Sequence, residues 1–221
     1  MSDLVVIDTV AEAVGMYTGK TPDHPLIHVL DLSEVHIDAK FINTRLCINL
    51  FSLGIKRSVN GSMKNQLRYG RNQYDFSSGV LTAYAPGQII QLEEEYQPGD
   101  LKGWVLMFHS DLLLQHPLQQ TIKQYGYFSY EVAEALHLSE REQKMLNQVV
   151  AEINRETQQN QDEFSLDILL SSIDLLLKYS DRYFNRQFLT RRPFLQNNIE
   201  RFYLLVDECL DNAGGNESGL P

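Results

Sequence analysis

The sequence predicts an α+β protein in which a small antiparallel β-barrel or sandwich precedes a helical region. Three observations point there. Up to about residue 110 the apolar segments are short, β-branched and aromatic, and Gly, Asn, Asp or Pro interrupts them. Beyond that point the punctuation thins and a 3.6-residue periodicity takes over. Strands first and helices after is an order that argues against a parallel βαβ fold.

The first element is a short amphipathic segment with Val6, Val10 and Val14 spaced four apart, stopped by Gly15. Pro22 and Pro25 bracket a turn. The first strand is Ile27 to Leu32. A long apolar strand from Asn43 to Ile55 carries Arg45 and Asn49 within it. Asn60-Gly61 is a hairpin signal, because both residues tolerate positive φ. Strands follow at Gln66 to Tyr69, Gln73 to Phe76 and Val80 to Tyr84, with a turn-rich link from Asp75 to Gly79. Pro86-Gly87 and Pro98-Gly99-Asp100 mark turns before strands at Gln88 to Leu92 and Gly103 to Phe108. So many short strands at this spacing suit a small antiparallel barrel or sandwich.

The helical part begins with short pieces from Ser110 to Gln124, broken at Pro117. Ser139-Glu140-Arg141-Glu142 is a capping box. The helix it opens carries Leu146, Val149, Val150 and Ile153 on one stripe. Gln158 to Asp162 is a polar break. From Phe164 to Phe188 the apolar residues cover well over half the circumference, whereas a surface helix needs one stripe. This helix is buried on two sides. Its second partner is either another part of the same chain or a second subunit. The residues expected at such an interface are Leu169, Ile173, Leu176, Leu177 and Tyr183. Ile199, Phe202, Tyr203, Val206 and Leu210 form a last amphipathic helix, and the residues after Asp211 have the composition of a linker.

Composition narrows the function. The chain of 221 residues can bury a core without disulfide staples. Cys47 and Cys209 lie far apart among apolar neighbours and read as buried free thiols. Against 29 acidic residues there are 19 Lys and Arg, a net charge of −10. That balance argues against nucleic-acid binding by the bulk of the chain and against adhesion to an anionic membrane. No apolar run approaches the ~18 residues that span a bilayer, and Met1-Ser2-Asp3-Leu4 lacks the basic start of a signal peptide. A cytoplasmic, soluble protein is expected.

Catalytic and metal motifs are missing. His24, His28, His36, His109, His116 and His137 show no metal-ligand spacing, so no metal or cofactor is expected. Nor is there a nucleophile elbow, P-loop or dinucleotide-binding glycine motif, and Glu93, Glu94 and Glu95 read as a solvated loop. No enzymatic activity is expected. One charge asymmetry stands apart. From Lys40 to Tyr74 there are seven basic residues and no acidic one. Arg45, inside an apolar strand, is the candidate to hold an anionic ligand bidentately. Trp104 and Tyr84, on strands of the same barrel, are the other ligand-binding candidates. Periodicity leaves open whether Thr82 and Tyr84 or Leu81 and Ala83 face the lumen, because both alternations are partly apolar.

Several phrases in order resemble the N-terminal region of AraC-type transcriptional regulators. They include His24-Pro25-Leu26, Tyr69-Gly70-Arg71 with Tyr74-Asp75-Phe76, and Gly79-Val80-Leu81 with Ala85-Pro86-Gly87-Gln88. Gly103-Trp104 with Phe108-His109, Leu112-Leu113 with Pro117-Leu118, Phe128-Ser129-Tyr130-Glu131, Glu134 to Ser139, and Arg186-Gln187-Phe188 complete the set. The resemblance covers nearly the whole chain. It implies a cupin-like antiparallel β-barrel (a double-stranded β-helix) over 1–110, and a helical dimerisation region over 111–211. It also implies a linker, 212–221, to a C-terminal helix-turn-helix domain that these residues lack. The expected partners are a second copy of the chain and an unidentified small-molecule effector, with DNA contacted only through that further domain. The alternative reading is a metal-dependent cupin oxygenase or isomerase. Many such cupins place a histidine after the Pro-Gly turn, where this chain has Gln88-Ile89-Ile90-Gln91.

Overall fold

The computed structural model describes residues 4–59, 68–69, 72–73, 80–91, 96–128 and 136–187. The chain divides into two units, 1–183 and 184–221. The sheets and the helices up to residue 183 therefore form one unit. Of the second unit, the described residues 184–187 are helical.

The first turn of the chain differs from the expected helix. Leu4–Ile7 is strand β1, and helix α1 runs Val10–Thr18. Thr9 and Glu12 form a reciprocal capping box at its start. Gly15 lies inside the helix. The stop is Gly19, which takes the left-handed conformation at φ 68°. Val10, Ala13 and Val14 form its buried face.

Strand β2 is Ile27–Asp31, close to the expected span. The expected long strand from Asn43 to Ile55 is two strands, β3 (Arg45–Ile48) and β4 (Phe51–Ser58). The break falls at Asn49, whose N–H donates to the Ile7 carbonyl and whose side-chain amide donates to Asp8. There the chain crosses from one sheet to the other. Strands β5 (Arg68–Tyr69), β6 (Asn72–Gln73), β7 (Val80–Tyr84), β8 (Gln88–Gln91) and β9 (Leu101–Phe108) follow. The turns at Gly87 and Gly99 have φ of 82° and 94°, which glycine adopts freely. The short pieces after residue 110 are 3₁₀ turns around a brief helix α2 (Leu118–Thr121). Leu136–His137 is strand β10.

Among the described residues the strands form two five-stranded sheets. One has the order β1-β3-β8-β5-β6 and the other β10-β7-β4-β9-β2. All pairings are antiparallel except β1 with β3. Side chains from both sheets and from α1 meet in one core cluster that includes Ile7, Leu46, Ile90, Leu30, Val80 and Met107. The fold is thus mixed α+β with two mostly antiparallel sheets.

Helix α3 (Glu140–Gln158) begins at the capping box read from the sequence, with the Ser139 N–H donating to Glu142 at 2.8 Å. Leu146, Val149, Val150 and Ile153 are its buried stripe. After the polar break, Asp162 accepts the backbone N–H groups of Phe164 and Ser165 and starts helix α4, residues 165–187. The Tyr127 hydroxyl donates to the Leu177 carbonyl at 3.0 Å, tying α4 to the turn before β10. The Asn60-Gly61 hairpin, the Asp75–Gly79 link, the Glu93–Glu95 loop, Cys209, the Ile199–Leu210 helix and the 212–221 linker lie outside the described residues.

Candidate ligand cavity between the sheets

The register of the second sheet decides which residues face inward. Strands β4 and β7 pair Ser52 with Tyr84, Gly54 with Thr82 and Lys56 with Val80. Strand β9 continues the row with Met107 opposite Ser52, Val105 opposite Gly54 and Gly103 opposite Lys56. Alternate residues of a strand share a face. Ser52, Gly54, Lys56, Thr82 and Tyr84 therefore point together toward the first sheet, and all of them line a cavity of about 80 Å³. Leu30, Ile37, Ile48, Ile90, Val105 and Met107 make most of its wall apolar. Leu53, Ile55, Leu81 and Leu106 occupy the opposite face of the second sheet and are buried there. Thr82 and Tyr84, not Leu81 and Ala83, thus form the lumen parity.

Lys56 is the charged cavity-lining residue that sequence reasoning did not single out. Its ammonium lies 5.7 Å from the centroid of the Tyr84 ring, a cation–π distance. Burial disfavours its charged form and lowers its pKa to about 8. It is the one cation among the described cavity-lining residues, and no carboxylate is among them. Thr82 is 5% exposed, and its hydroxyl oxygen is buried with no hydrogen-bond partner among the described residues. Gln88 also lines the cavity, but its amide is already engaged. Its oxygen accepts from the Ala85 N–H at 2.9 Å, and its nitrogen donates to the Phe128 carbonyl at 3.0 Å.

The shifted lysine has a consequence for stability. In the unfolded chain Lys56 titrates near 10.5, in the folded one near 8. Between those values the unfolded state binds more protons, so stability rises with pH. The charge penalty is complete below pH 8. Unfolding followed by urea is expected to show stability increasing from pH 8 to 10, and Lys56→Met should flatten that rise. Above pH 10 the buried phenols of Tyr17 and Tyr127, held neutral by burial, act in the opposite direction.

The other candidates lie elsewhere. Arg45 is exposed, because its neighbours Leu46 and Ile48 take the inward face of β3. Trp104 shares a face with Leu106, so it looks away from the lumen. Its indole N–H donates to Asn147 of α3 at 2.8 Å, beside an outer groove that also holds Arg57 and Lys102. Of the three predicted ligand residues, the structure brings only Tyr84 to the cavity. Leu169, Ile173, Leu176, Leu177 and Tyr183 are all buried within the chain as it stands. The exposed apolar residues at and along α4 are instead Phe164 (60%), Leu166 (51%), Ile168 (49%) and Leu175 (46%).

Four of the histidines are engaged locally. The Nδ1 atoms of His24, His109 and His116 each accept a backbone N–H two residues on, and His36 pairs with Asp38 at 2.8 Å. Among the described residues no three His, Cys, Asp or Glu side chains come together as metal ligands. Cys47 is a half-buried free thiol. No described helix is long and apolar enough to cross a membrane. Comparison of the sequence with protein-family models finds no matching family, and comparison with curated proteins finds no matching relative.

Proposed function

We propose that this chain is the ligand-sensing and dimerisation part of a bacterial AraC-type transcription regulator. In this reading, a cupin-like barrel holds a small effector and DNA is contacted by a domain outside these residues. The observation that carries it is the cavity between the sheets. A mostly apolar pocket with a few convergent polar groups is the usual form of a small-molecule site. Here those groups are Lys56, Thr82 and Tyr84. The protein acts by binding, with no reaction.

Dimerisation is assigned to the outer face of α4. Residues at 164, 168 and 175 fall within about 40° of one another at 100° per residue. Exposed acids, Glu163 and Asp167, flank the start of this stripe, and exposed bases, Lys178 and Arg182, flank its end. An antiparallel, isologous pairing with a second copy sets each copy's acids beside the other's bases. The ligand then acts by favouring one arrangement of the dimer, and linkage requires that the dimer in turn alter ligand affinity.

Sedimentation of the full chain, alone and with a panel of sugars, amines and carboxylates, tests both halves. The expected result is a reversible dimer and at least one ligand class that raises the unfolding temperature and shifts the dimer constant. A monomer at all concentrations, with no ligand raising the unfolding temperature, would contradict the reading.

A further inference from the structure

We propose that the outer groove between the second sheet and α3 is a separate binding site for a small phosphorylated polyol, a sugar phosphate or its like. Its phosphate meets Arg57 and Lys102, and its hydroxyls meet the carboxamides of Gln143, Asn147 and Asn154. This goes beyond the ligand-sensing reading, which uses the other face of the sheet, and does not depend on it. Three features of the groove carry it.

The first is a pair of bases that the register forces together. Arg57 of β4 and Lys102 of β9 stand directly opposite each other. Alternate residues share a face, so both lie on the side of Ile55 and Trp104, away from the cavity. Like charges directly opposite one another destabilise a sheet. Both side chains are exposed, and neither has an ion-pair partner among the described residues. Asp31 is the carboxylate among the described groove residues, and it is engaged with Ser33. It accepts the Ser33 N–H at 2.8 Å and the Ser33 hydroxyl at 2.7 Å. An anion set between the two bases offsets their repulsion. A phosphate monoester brings about two negative charges and three acceptor oxygens, enough for a guanidinium and an ammonium together.

The second is the facing wall. Along α3 the groove meets Gln143, Asn147, Val150, Ala151 and Asn154, with no acid among them. The exposed charges of this helix, Glu140, Arg141, Lys144, Glu152 and Arg155, fall at other positions. An anion in the groove therefore meets carboxamides and not carboxylates. The third is how those carboxamides are held. An indole N–H can only donate, so the 2.8 Å bond from Trp104 fixes Asn147 with its oxygen toward the indole. That leaves the Asn147 amide nitrogen, a donor, without a partner among the described residues. Gln143 is held the other way round. Its nitrogen donates to the Leu138 carbonyl at 3.1 Å, which leaves its oxygen as an acceptor. A donor and an acceptor one turn apart suit hydroxyl groups, which both give and accept hydrogen bonds. The groove is open and holds about 430 Å³, within the range of small-molecule sites.

Calorimetric titration of the full chain tests the proposal, with glycerophosphate, glucose-6-phosphate, glucose, gluconate and inorganic phosphate as probes. At least one of the two phosphate esters is expected to bind, with glucose, gluconate and inorganic phosphate weaker by at least about tenfold. Arg57→Ala and Lys102→Ala change exposed side chains, and each should weaken the ester by at least about tenfold. Lys144→Ala removes an exposed base elsewhere on α3 and should leave the affinity unchanged. Every variant is checked for a cooperative thermal transition. Glucose or gluconate binding as tightly as the ester would overturn the phosphate assignment. Inorganic phosphate binding as tightly would overturn the hydroxyl contacts. If the ester binds all the folded variants equally, or if neither ester binds, the proposal is overturned. None of these results touches the sensing reading, because the cavity lies on the other face of the sheet.

Discussion

Gly103→Ala is expected to destabilise the protein by about 3–5 kcal/mol, a large fraction of the ~5–15 kcal/mol that holds a domain folded. Gly103 has φ of 115°, a conformation that side chains rarely adopt. A Cβ built there would lie 1.9 Å from the carbonyl oxygen of Ile55 on the neighbouring strand. Backbone strain of this kind costs about 1–3 kcal/mol, and forcing a methyl group into a filled space adds about 1–3 kcal/mol more. The position matters for the site as well, because Gly103 is the residue paired with Lys56. The close approach of β9 to β4 at that point sets the register that turns Lys56 inward. Urea unfolding should show the midpoint falling with little change in slope. A loss under about 1 kcal/mol would mean that β4 and β9 do not approach as described.

The second large effect separates the two faces of α4. Leu176 is fully buried, and Leu176→Ala should cost about 2–5 kcal/mol through lost burial and a residual cavity. The double change Ile168→Glu with Leu175→Glu acts on exposed positions, so monomer stability should move by no more than about 0.5 kcal/mol per site. Self-association should nonetheless be abolished, because the pairing would set desolvated carboxylates against each other. Sedimentation and urea unfolding on the same samples distinguish the outcomes. A double mutant that remains dimeric would remove α4 as the dimer face.

The same contrast shows what could be read in the sequence. The wide apolar coverage of α4 was legible, and so was its burial on more than one side. Which residues stay exposed was not, because Ile168 and Leu175 are as apolar as Leu176. The α3 capping box was legible because its reciprocal bonds are local. The matching Thr9–Glu12 box at α1 carried the same signal and could have placed that helix. The split of the 43–55 strand was hidden, since it depends on Asn49 bonding to Ile7 and Asp8, some forty positions earlier.

The cavity residues were hidden for a different reason. Strand β4 alternates apolar Leu53 and Ile55 with small or polar Ser52, Gly54 and Lys56. Read as a half-exposed strand, the polar face belongs to solvent. Here both faces of the sheet are covered, and the polar face lines the lumen. Arg45 misled for the complementary reason, since an arginine among apolar neighbours on a strand with one buried face points outward. The basic stretch from Lys40 to Tyr74 did contain the cavity cation, but at Lys56.

The most direct test of the cavity between the sheets as the ligand site is a methyl NMR titration of the chain with a panel ligand that raises its unfolding temperature. The account predicts shifts concentrated at Leu30, Ile37, Ile90, Val105 and Met107. Leu53, Ile55 and Leu106, on the opposite face of the same sheet, should stay nearly still. Shifts confined to the helix-facing set, or spread evenly over both faces, would contradict it.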